Sequence, residues 1–134
     1  MDVNLQEFPI LSTLPAQELQ SHIDSYILFM KTTYNVRYVG FAVAGLFGIY
    51  SIFISGKRVT YSEKNIIEMT MLALGVLIIA ILIWFLVSIL KKNAALKKGL
   101  RATAEKHALD KKSFLKEFNA FVIGQHGGKG VYKI

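Results

Sequence analysis

Two stretches of the chain contain no Asp, Glu, Lys, Arg or His: Tyr38 to Ser55, 18 residues, and Met69 to Leu90, 22 residues. As helices rising 1.5 Å per residue they would be about 27 Å and about 33 Å long, which matches a hydrocarbon core of about 30 Å. Both are expected to cross a bilayer, because two buried soluble helices of this kind would need a protein shell that the rest of the chain does not encode. The intervening 56–68 is short and polar, so the spans should run antiparallel. The pattern therefore predicts an all-α membrane protein: a two-span transmembrane helical hairpin with an amphipathic N-terminal helix and a basic C-terminal helical tail.

The flanking segments show helical periodicity of a different kind. Thr13, Pro15 and Glu18 mark a helix start, after which Leu19, Ile23, Tyr26, Ile27, Met30 and Tyr34 recur every three or four residues. The opposite face carries Gln17, Gln20, Ser21, Asp24 and Lys31. Its acids do not suit an anionic lipid surface, so the apolar face is expected to dock on another subunit. After the second span, helix should continue through 91–123, weakened at Gly99, restarted near Asp110 and ended at Gly124. Apolar residues in this tail culminate in Phe114, Phe118 and Phe121, a second expected docking face. The organisation is then 1–37, N-terminal arm and amphipathic helix; 38–55, first span; 56–68, linker; 69–90, second span; 91–123, basic helical tail; and 124–134, a glycine-rich arm. Outside the spans, the 37 residues before, the 13 between and the 44 after are each too short to bury a conventional core alone.

Charge adds the orientation. Lys31, Arg37, Lys91, Lys92, Lys97, Lys98, Arg101 and Lys106 flank the spans on the terminal side, against Lys57, Arg58 and Lys64 in the linker. This bias places both termini on the cytoplasmic or matrix side. The whole chain of 134 residues has net charge +7, yet 91–134 alone holds 11 Lys or Arg against 3 acids, so the basicity is local. Lys91, Lys92, Lys97, Lys98 and Arg101 are expected to meet anionic lipid headgroups; they interleave with alanine rather than with stacking aromatics, which argues against nucleic acid. The first 37 residues, with Asp2, Glu7, Glu18 and Asp24 against Lys31 and Arg37, resemble neither a secretory signal nor a mitochondrial presequence.

Within the first span Gly40, Ala44 and Gly48 follow at intervals of four and continue to Ser51 and Ser55, a smooth strip where another helix can approach closely. That neighbour is either a partner or the chain's own second span. The second span is bulky all round, with Ala73 and Ala80 as its only plausible seam. No ionisable group lies at membrane depth, which removes the usual basis for a proton or ion path. His22, His107 and His126 all lie outside the spans, so a haem held between them is not expected, and the absence of cysteine removes disulfides and thiolate chemistry. The GQHGGKGVYKI end fails the phosphate-loop spacing, and is taken as a flexible arm or a glycine strand that follows a partner's surface. No catalytic, cofactor-binding or metal site is expected, and no small-molecule substrate.

These features favour a non-catalytic accessory subunit of a larger membrane complex, in an energy-converting inner membrane of respiratory or ATP synthase type, mitochondrial rather than bacterial. Other membrane-protein subunits and anionic headgroups would be its partners. A homo-oligomeric, holin-like pore is the alternative, although its lining would depend on Tyr50, Ser51, Ser55, Thr70 and Ser88, which form no continuous stripe. A membrane tether that recruits an acidic partner through the basic tail is a further one.

Overall fold

A computed structural model describes residues 7–54 and 60–134, and the side chains of all of these except 53 and 54. It is all-helical among the described residues. Four helices follow in order: α1 Pro9–Ser12, α2 Ala16–Ile54, α3 Tyr61–Lys106 and α4 Lys111–His126. α2 and α3 are each long and apolar enough to cross a membrane. Residues 55–59, which include Ser55 and the start of the expected linker, lie outside the described residues; the remainder of that linker from Tyr61 onward is helix.

Local chemistry sets the helix ends. Pro9 opens α1, where its missing N–H costs nothing, and the Glu117 carboxylate accepts hydrogen bonds from the N–H groups of Ile10 at 2.9 Å and Leu11 at 3.3 Å. Pro15 precedes α2, and its carbonyl accepts from Glu18 and Leu19 N–H. α3 passes through Gly99 and stops only at Lys106, followed by Ala108 at φ +52, a left-handed residue of the kind that ends helices. Asp110 then caps α4, its side chain accepting from Ser113 N–H at 2.8 Å. The helix expected to end at Gly124 runs one further half-turn to His126. α3 runs through Gly99 without a break, and a Cβ there would stand 3.2 Å from Cε1 of His22.

The chain divides into two compact units, one formed by 1–31 with 89–134 and the other by 32–88. The first unit has a core. Leu11, Leu19, Ile23 and Tyr26 pack with Leu96, Leu100 and Ala104 of α3 and with Phe114, Phe118, Phe121 and Val122 of α4. Aromatic rings meet edge to face, Tyr26 on Phe118 with centroids 6.3 Å apart and Phe8 on Phe121 at 5.6 Å. The segments that are individually too short for a core thus build one jointly, with Phe8 packed against it.

The second unit shows another kind of packing. Along α2 the covered positions include Thr32, Val36, Val39, Val43, Leu46 and Tyr50; along α3 they include Ile67, Met71, Gly75, Ile78, Leu82, Phe85 and Ser88. Both series step by three and four, the spacing of paired helices that meet along a seam. Ala73 and Ala80, expected to form the seam of the second span, are exposed. Side-chain size misleads here: Gly75 is the small residue turned inward, and the bulky Met71, Ile78 and Leu82 fill the same line.

Candidate functional site

The small-residue strip of α2 lies off its seam. Gly40, Ala44, Gly48 and Ser51 are exposed, and a Cβ added at Gly40, Gly45 or Gly48 would meet nothing within 4 Å. The strip is therefore not packed on the chain's own second apolar stretch. Beside it, Val43, Leu46, Phe47 and Tyr50 face Met71, Gly75, Ile78, Ile79 and Leu82 across an apolar cleft of about 380 Å³. Among the candidate pore hydroxyls, Thr70 donates to the Ile66 carbonyl at 2.8 Å, Tyr50 faces the cleft and Ser51 faces away, so they share no single line.

The expected docking faces of the flanks are placed in the first unit's own core. Leu19, Ile23, Tyr26, Phe114, Phe118 and Phe121 are buried there, and Met30 is partly covered by the same cluster. Ile27, with Leu28, stays exposed. The physical reason is economy of surface: α4 folds back so that its aromatic row covers the apolar stripe of α2, leaving little of either for a partner.

The glycine arm is likewise held by the chain itself. The Tyr26 hydroxyl donates to the Gly127 carbonyl at 2.7 Å and accepts from Gly130 N–H at 3.3 Å. Asn119 pairs its carboxamide with the peptide group of Val131, at 2.8 and 2.7 Å, and the Val131 side chain enters the core. Glycine is required at two of these places. Gly128 and Gly130 have φ of +95° and +69°, and a Cβ would come within 2.7 Å of the Tyr26 hydroxyl at the first and of Asn119 Oδ1 at the second.

One polar cluster escaped the sequence reading. Glu18 of α2 accepts from Thr103 Oγ1 at 3.2 Å and Lys106 Nζ at 3.3 Å, and pairs with His107 Nε2 at 3.0 Å. His22, one turn on, is buried with its Nε2 2.8 Å from Thr103 Oγ1. Because the Thr103 proton points to Glu18, His22 Nε2 carries the hydrogen of that contact. Partners on the Glu18 carboxylate, His107 first, hold it below the usual carboxylate range; burial lowers His22 below the usual imidazole range, offset in part by the Glu18 charge. The only trace in sequence is the four-residue spacing of Glu18 and His22 and the Thr103, Lys106, His107 grouping, which becomes a cluster only when α2 and α3 meet. It joins helices and leaves no open coordination geometry: among the described residues no three His, Asp or Glu side chains could hold a metal ion.

Of the lysines expected at headgroups, Lys91 and Lys98 are exposed, Lys92 and Lys97 half-exposed, and Arg101 pairs with Glu105 at 3.1 Å. Compared with known proteins, the chain matches no family model, no curated protein and no solved structure.

Proposed function

We propose that this chain is a two-span membrane hairpin acting as a non-catalytic accessory subunit, held in a larger membrane complex through the Gly40, Ala44, Gly48 strip. The observation that carries the reading is the separation of that strip from the chain's own seam: α2 keeps one line for α3 and leaves an adjacent, nearly smooth line with open space in front of it. In lipid, helices associate by close backbone approach, and such a line offers a further helix that approach. The flanking unit spends its aromatic residues on its own core, which suits a chain whose membrane helices, rather than its soluble tails, do the docking. Lys91, Lys92, Lys97 and Lys98 sit at the terminal side of the second span, where they favour a cytoplasmic or matrix location for both termini and contact with anionic headgroups.

The test is Gly48→Leu. Since a Cβ at this position meets nothing in the chain, the larger side chain leaves the monomer intact and obstructs only an external neighbour. We expect the variant to extract and melt like wild type but to lose comigration with its complex on native electrophoresis, while Ala80→Leu, on the exposed face of α3, keeps it. Normal comigration of the Gly48 variant would remove the strip from the argument.

A further inference from the structure

We infer that the cleft between α4 and the C-terminal arm binds an acidic, partly apolar peptide segment of a partner protein. The cleft has a volume of about 590 Å³. Its rim carries Lys112 and Lys116 on α4 and Lys133 on the arm, its floor is Leu115 and Ile134, and Tyr132 stands beside it, 89% exposed. Lys112, Lys116 and Lys133 form no ion pair with any described residue. The carboxylates nearby are already engaged: Glu117 caps α1, Asp110 caps α4, and Glu105 binds Arg101 and Lys111. Lys116 and Lys133, with Lys112 beside Asp110, set ammonium groups that bond no carboxylate around an apolar floor, which complements a segment that alternates carboxylates with apolar side chains.

The chemistry favours a peptide over other polyanions. A bare phosphate would leave the apolar floor uncovered, and a single tyrosine gives no platform for successive bases. A headgroup layer presents charge without the apolar side chains that Leu115 and Ile134 would cover. Every residue of the cleft lies in the first unit, so the proposal does not rest on the membrane reading.

The test uses the full chain in neutral-lipid nanodiscs and a fluorescein-labelled peptide of alternating glutamate and leucine, followed by anisotropy against empty nanodiscs. We expect saturable binding that weakens with salt and falls about tenfold or more in the Lys116→Glu, Lys133→Glu double variant, whose substituted side chains are exposed. Lys64→Glu, in the other unit, should change nothing. The proposal is overturned if the peptide does not bind, if the double variant binds equally well, or if an oligothymidine strand or phosphatidylserine vesicles compete better than the peptide for these lysines. A chain that proved soluble without lipid yet still bound the peptide would sink the membrane reading and leave this one standing.

Discussion

Asn119 offers the sharpest test of how the glycine arm is held. Its carboxamide makes both hydrogen bonds of the Val131 peptide group, at 2.8 and 2.7 Å, and a partly buried hydrogen bond contributes about 1 kcal/mol net. Asn119→Ala should therefore weaken closure of the arm by about 2 kcal/mol, which at 1.36 kcal/mol per decade is about a 30-fold rise in the open population. The Tyr26 hydroxyl still holds the Gly127 carbonyl at 2.7 Å, while its contact with Gly130 N–H is long at 3.3 Å, so opening should begin beyond Gly127, take Lys129 with it and leave α4 in place. Trypsin reports this directly, because cleavage at Lys129 and Lys133 follows the open population when opening is fast relative to proteolysis. Cleavage at Lys129 should accelerate about 30-fold with the α4 sites unchanged, and Asn119→Asp, which keeps the acceptor for Val131 N–H but loses the donor, should fall between. If the alanine variant is cut at the wild-type rate, the carboxamide is not what fixes the arm.

Two other expectations concern the first unit. Phe118 is fully buried between Tyr26 and Phe114, so Phe118→Ala should cost about 3–5 kcal/mol, measured by denaturant titration with a probe in α4; a loss below about 1 kcal/mol would mean the aromatic row is not a packed core. For His22, whose folded pKa lies below its unfolded value because burial disfavours the imidazolium, stability is complete above the unfolded pKa of about 6.5 and declines as pH falls below it. Thermal melts should show this first acid step and lose it in His22→Leu, while a second step from Glu18, Glu105 and Asp110, whose carboxyls are held low by their partners, begins only near pH 4 or about there. An unchanged melt between about pH 7 and 5.5 in wild type would contradict the buried neutral imidazole.

How far the sequence discloses this arrangement depends on contrast. The start of α2 after Pro15 is legible because a breaker, an acid and a periodic stripe coincide there. The break before α4 is legible in Asp110, the N-cap from which the helix restarts, but Gly99 misleads as the conspicuous breaker, since α3 runs through it and the turn uses Ala108, an ordinary residue in a left-handed conformation. In the second apolar stretch nearly every position is nonpolar, so the Met71, Gly75, Ile78, Leu82 line has no polar face opposite it to mark it, and the two alanines draw attention to the wrong side. The apolar stripes at Leu19 to Tyr26 and Phe114 to Phe121 are plain in sequence, but that they cover one another is a long-range fact with no local sign. The same holds for Tyr26 and Asn119, whose polar groups acquire meaning only when the glycine arm returns across them.

The two units require different surroundings, and this bears on what the strip on α2 is for. In the first unit the large apolar side chains are mostly interior. In the second, side chains such as Phe41, Phe47, Leu72 and Trp84 stand about two-thirds exposed or more. Each would forgo about 1.5–3 kcal/mol of transfer free energy in water; for roughly ten such residues the total, about 15–30 kcal/mol, exceeds the whole net stability of a typical domain, about 5–15 kcal/mol. Exposed apolar surface on that scale marks contact with lipid or protein. Lipid tails satisfy Phe41, Leu72 and Trp84 without any specific partner, but they give no reason for Gly40, Ala44 and Gly48 to share one line, because a methylene chain packs as readily against leucine. A backbone brought close to that line does give one, and so the proposed reading gives the bulky faces to the bilayer and the smooth one to a helix.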